Sequence, residues 1–117
     1  MSTINIMPIA ERVAMKYLVR FSFPVEPGND AIKDPQFGSK MKQFLTDVKA
    51  EAAYFTAIDG QRGGYVVVSM DDASQIPAIS EPLFLWLNAD IEFIPVMQPQ
   101  DLEKAGPAIG AAVKKWA

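Results

Sequence analysis

Residues 51–70 read EAAYFTAIDGQRGGYVVVSM, two runs of β-branched and aromatic residues joined by a glycine-rich turn. The composition of each run favours a strand, and Asp59-Gly60 with Gly63-Gly64 offers the positive-φ positions that a hairpin connection needs. In the first arm Ala53, Phe55 and Ala57 share one face, opposite Tyr54, Thr56 and Ile58. In the second, Gly64, Val66, Val68 and Met70 lie opposite Tyr65, Val67 and Ser69. The rest of the chain is laid out from this hairpin.

Upstream, Lys16 to Phe23 alternates: Tyr17, Val19, Phe21 and Phe23 point one way, and Lys16, Leu18, Arg20 and Ser22 the other. That is the period of a half-buried strand, and Pro24 ends it. Pro27-Gly28-Asn29 is turn chemistry. Asp34 then reads as a helix cap with Pro35 in the first helical position. Phe37, Met41, Phe44, Leu45 and Val48 form one apolar stripe, which predicts a helix from about residue 35 to residue 50.

Downstream, Asp72-Ala-Ser-Gln75 has the form of a capping box. Pro82 predicts a break after a short helix, followed by a turn from Leu83 to Leu87. Ala89 to Val96 alternates as a fourth strand, with Pro95 placing its end at a sheet edge. Pro99 opens a last helix, interrupted at Gly106-Pro107, whose apolar stripe is Leu102, Ala105, Ile109, Val113 and Trp116.

The order is strand, helix, strand, strand, helix, strand, then an extra C-terminal helix. This is the α+β, ferredoxin-like β-α-β-β-α-β arrangement, with an antiparallel sheet of order 4-1-3-2 and helices on one face. The domain spans residues 15–117. Residues 1–14 read as a poorly ordered tail, and translation beginning at Met1 or at Met15 fits the sequence equally.

The strand face without helices carries Leu18, Arg20, Ser22, Tyr54, Thr56, Ile58, Tyr65, Val67, Ser69, Glu92 and Ile94. So much apolar surface calls for a cover, and a twofold-related second copy is the commonest one. The expectation is a homodimer, a dimeric α+β barrel. The polar members of this face are the candidates for chemistry. Arg20 and Glu92 sit on strands that neighbour each other in this order. They make a cross-strand ion pair, or Arg20 holds a carboxylate or enolate with Glu92 or Tyr54 as proton carrier. Arg20, Tyr54, Glu92 and Trp86 are the candidate ligand-binding residues, and no catalytic residue stands out. Gly60-Gln61-Arg62-Gly63-Gly64 lacks the lysine and following helix of a phosphate cradle, so it reads as a turn.

Composition sets firm limits. There is no cysteine and no histidine among 117 residues, which excludes thiolate nucleophiles, Ser-His pairs and imidazole-held zinc or haem. Neither a metal nor a cofactor is expected. The net charge of −3 and the lack of a basic stripe argue against nucleic acid and anionic membranes as partners. No apolar run approaches the about 20 residues of a membrane helix, and the N-terminus lacks a signal-peptide core, so a cytoplasmic protein is expected.

Several strings carry a resemblance: Met15-Lys-Tyr-Leu-Val, Glu51-Ala-Ala-Tyr-Phe-Thr-Ala, Gly63-Gly-Tyr-Val-Val-Val, and above all Asp71-Asp-Ala-Ser-Gln-Ile-Pro-Ala-Ile-Ser-Glu-Pro. Together with Leu87-Asn-Ala, Pro95-Val-Met and Asp101-Leu102, they make the chain similar to an uncharacterised family of small bacterial proteins over about residues 15–116. That family resembles the dimeric α+β barrel superfamily, which includes antibiotic-biosynthesis-type monooxygenases and muconolactone-isomerase-like proteins. The resemblance implies the fold and the dimer, and it carries no catalytic motif. Three functions follow as expectations: a homodimer binding a small metabolite in or near the barrel; a cofactor-independent enzyme on an enolisable or aromatic small molecule; or an interaction subunit packed solid.

Overall fold

The computed structural model describes residues 14–117. The tail expected over residues 1–14 lies outside the described residues except for Ala14. In chain order the elements are β1 (Met15–Phe23), α1 (Val25–Lys33), α2 (Phe37–Asp47), β2 (Ala52–Ile58), β3 (Gln61–Met70), α3 (Ile76–Leu87), β4 (Asp90–Val96), α4 (Pro99–Lys104) and α5 (Gly106–Trp116). A short 3₁₀ turn, Ala73–Gln75, precedes α3. The strands form one antiparallel sheet in the order β2-β3-β1-β4. Read from the other edge, that order is 4-1-3-2. The fold is α+β and ferredoxin-like, with two helices in the first crossover where one was expected.

Alternation fixes which face of the sheet meets the helices. Val19, Phe21 and Phe23 of β1 and Val66, Val68 and Met70 of β3 are buried, and they join Met41 and Phe44 of α2 and Ile79, Leu83 and Leu87 of α3 in one cluster. Each large apolar side chain enclosed this way contributes about 1.5–3 kcal/mol. The α2 stripe is the expected one, with Phe37, Leu45 and Val48 packed at its edge. The capping box at Asp72 is also present: Asp72 accepts from the Ser74 amide, and Gln75 reaches back to the Asp72 amide.

Four local expectations are corrected. Pro27-Gly28-Asn29 lies inside α1 and is not a turn. Pro27 sits in the first helical turn, where amide hydrogens have no helical acceptor, so its missing N–H removes nothing. The Gly28 amide then donates to the Pro24 carbonyl at 2.9 Å. Asp34 does not cap α2: it closes α1, and its carboxylate accepts from the Gln36 amide at 2.9 Å, so α2 starts at Phe37.

In the hairpin, only Asp59 (φ 51°) and Gly60 (φ 79°) take positive φ, as a two-residue connection of the I′ kind requires. Gly63 and Gly64 belong to β3, and a Cβ there would stand 2.2 Å from the Phe21 carbonyl oxygen or 2.1 Å from that of Tyr54. They are small because neighbouring backbones pass close by. Finally, Pro82 does not break α3. Ile79, Leu83 and Leu87 are all buried on one side, and that packing holds the helix together. Ala78 and Pro82 are on the exposed side, where solvent can serve the carbonyl that proline leaves unpaired.

The last segment is interrupted at Ala105, just ahead of the expected Gly106-Pro107, which instead open α5, and its stripe is uncovered. No residue of α5 is buried, and Trp116 is 80% exposed.

Candidate functional site

Pairing register sorts the open face of the sheet into rows that run across all four strands. Tyr54 of β2 pairs with Tyr65 of β3, Tyr65 with Arg20 of β1, and Arg20 with Glu92 of β4. Three of the four expected site residues therefore stand in one line. Ala52, Val67, Leu18 and Ile94 form an apolar row beside it, and Thr56, Gly63, Ser22 and Asp90 a small, polar row on the other side. Beyond the apolar row, Lys16 and Ser69 pair across β1 and β3, and both side chains donate to the Glu51 carboxylate. Lys16 first, and Ser69 second, hold the Glu51 carboxyl below the usual glutamate value.

Arg20 is the centre of the site, and it is already occupied. Its Nη1 stands 3.6 Å from Glu92 Oε2, the expected cross-strand ion pair. Its Nη2 donates to Asp59 Oδ2 at 3.1 Å, a contact that sequence spacing did not suggest. The Tyr65 hydroxyl, then Asp59, push its pKa above the ordinary arginine value. One guanidinium between two carboxylates leaves a cluster of net negative charge, which repels an added anion rather than holding it. The hollow beside Arg20, Ser22 and Glu92 measures about 90 Å³. That is room for about three waters.

Trp86 is not part of this line. It belongs to α3, on the other side of the sheet, with its ring 5.2 Å from that of Phe37. There it lines a shallow groove of about 490 Å³ between α2 and α3, together with Lys40, Phe44, Val48, Pro82 and Leu85. The four expected residues are thus three plus one, divided by the sheet.

The residue that sequence reasoning passed over is Arg62. It pairs with Phe23 on the helix-covered face, and its Nη1 donates to Asn29 Oδ1 of α1 at 3.0 Å. The signal was present in the sequence: the alternation that puts Gly64, Val66 and Val68 towards the helices puts Arg62 there too, if the strand is begun at Gln61.

Among the described residues no group of three acids comes together to hold a metal ion. None of the described helices is long and apolar enough to cross a membrane. A family model described as Domain of unknown function (DUF3303) matches residues 15–110, most of the chain, and the protein belongs to that family. No curated protein and no solved structure gives a significant match.

Proposed function

Starting from a family without an assigned activity, we propose that the protein is a homodimer, built as a dimeric α+β barrel, that binds a small metabolite in or near that barrel. One observation carries the reading. Across two complete rows of the open face, Ala52-Val67-Leu18-Ile94 and Tyr54-Tyr65-Arg20-Glu92, not one residue is buried. An apolar row of that length beside two tyrosines is the pattern of a surface awaiting a partner. A twofold copy supports itself on the same rows: polar line can meet polar line, and Leu18, Val67 and Ile94 can leave water together.

The opposed faces would also enclose the Arg20 line, which in a single protomer has space for little more than water. A charged side chain placed among the apolar row tests the proposal. Leu18→Lys is expected to leave the circular dichroism spectrum unchanged and to halve the particle mass measured by light scattering. A wild-type mass equal to one protomer of 12.9 kDa at high concentration would reject the dimer.

A further inference from the structure

On the covered face, a cavity of about 240 Å³ lies between the sheet and the first two helices. Phe21, Phe23 and Phe55 of the sheet, and Phe37 and Met41 of α2, form its walls, and Arg62 is its one charged member. Phe21 and Phe55 meet edge to face at 6.4 Å. Phe55 and Ile32 stand exposed at the cavity's mouth, along the β2 edge. We infer that this cavity takes a small aromatic monocarboxylate, with the ring among the phenylalanines and the carboxylate on Arg62. The cavity is on the opposite face of the sheet from the Arg20 line, so the inference goes beyond the reading above and does not need the dimer.

Three features of Arg62 support this. A guanidinium on the helix-facing side of a sheet is normally matched by a carboxylate. Arg62 has instead the neutral Asn29 amide, and among the described residues no carboxylate pairs with it. That bond uses one of five N–H donors, which leaves the fork free for a bidentate anion.

The surroundings are also built to hold the arginine in place. Gly28 is buried within α1, where glycine is a poor helix former. A Cβ at that position would come within 3.0 Å of the Phe23 ring and 3.1 Å of Arg62 Nη1. The missing side chain is what lets the guanidinium lie against the helix at the rim of the cavity.

Size and charge narrow the ligand. The volume equals that of about eight waters, which corresponds to a molecule of about ten non-hydrogen atoms. One arginine matches one negative charge, and aromatic walls do not solvate the second charge of a phosphate.

Phenylacetate, with ten non-hydrogen atoms, is a suitable probe, and benzyl alcohol supplies the ring without the charge. Calorimetry is expected to show saturable phenylacetate binding to the wild-type chain, with benzyl alcohol binding more weakly. Arg62→Gln should weaken phenylacetate by about tenfold or more, the usual worth of a charge-assisted bond, and leave benzyl alcohol unaffected. Gly28→Ala should weaken phenylacetate with the helix content intact, by displacing the guanidinium. Equal phenylacetate affinity for wild type and Arg62→Gln, equal affinity of the two probes for wild type, or no binding at all would each overturn the inference. Light scattering on the same samples separates this result from the dimer. A protomer that binds phenylacetate through Arg62 keeps the inference and removes the dimer; a dimer that does not bind removes the inference alone.

Discussion

Two arginines stand on opposite faces of the same sheet, and their surroundings differ in sign. Arg20, on the open face, lies between Asp59 and Glu92. Arg62, on the covered face, meets a neutral amide and a ring of phenylalanines. The first is where a reader of the sequence places anion binding, since it lies in line with two tyrosines and a glutamate. The second is where the field favours it. A cation's capacity to recognise an anion depends on what already neutralises it, and that is decided in three dimensions. Asp59 comes to Arg20 only because the I′-type connection turns the hairpin at that point.

The two faces differ as much in what they contribute to stability. On the covered face, Phe21→Ala is expected to cost about 3–5 kcal/mol in chemical denaturation, because the ring is fully enclosed and its site cannot collapse easily. A cost below about 1 kcal/mol would mean that this face is not the core. On the open face, Leu18→Ala should cost about 1–2 kcal/mol at high protein concentration and almost nothing on dilution, since in the proposed dimer its burial depends on a second copy. A loss independent of concentration would break the contrast between the faces.

Substituting the arginines sharpens it further. Arg62→Gln should change stability by no more than about 1 kcal/mol, because the bond it removes is a single one to a neutral amide. Arg20→Gln leaves Asp59 and Glu92 facing each other without the cation between them. Its destabilisation should be seen at low ionic strength and vanish as salt is added. If the two variants respond to salt alike, the difference in their surroundings has no energetic meaning.

The smallest effect is expected at Glu51. Lys16 and Ser69 hold its carboxyl below the ordinary value, so this pairing stabilises the fold while the group is ionised. The contribution is lost once pH falls past about 4.5, the unpaired value, and through the lower value of the folded state. Glu51→Gln should therefore lower stability slightly at neutral pH and converge with the wild type in acid, which flattens the acid limb of the stability–pH curve. An unchanged acid limb would show that the pair contributes nothing.

Much of this architecture can be read from periodicity. The alternation in β1 and β3 and the stripe of α2 put the right side chains in the core, and the strand order follows from the chain order and crossover rules. Where the reading failed, a residue serves a distant neighbour rather than its own segment. Gly28 looks like part of a turn because its reason, the approach of Phe23 and Arg62, lies on other elements. Gly63 and Gly64 look like turn residues because the carbonyls of Phe21 and Tyr54 that press on them are invisible in the chain. Pro82 looks like a helix breaker because burial of Ile79, Leu83 and Leu87 outweighs one lost hydrogen bond.

The candidate site divided in the same way. Strand order puts Arg20 beside Glu92 from the sequence, whereas the pairing of Tyr54 with Tyr65 emerges only from the register of the folded hairpin. Trp86 could not be placed by register, since it stands on a helix, and the break expected at Pro82 hid that helix. Arg62 is hidden because the glycine-rich string reads as a loop, whereas all of it but Gly60 is strand.

The proposed concealment of the open face in a dimer is tested most directly by footprinting its tyrosines. Hydroxyl-radical labelling of Tyr54 and Tyr65 would be followed over a range of protein concentrations, with Tyr17, on the other face, as internal reference. Protection of both residues at high concentration, lost together on dilution as the particle mass halves, is the expected result. Labelling of Tyr54 and Tyr65 that stays the same at every concentration would contradict it.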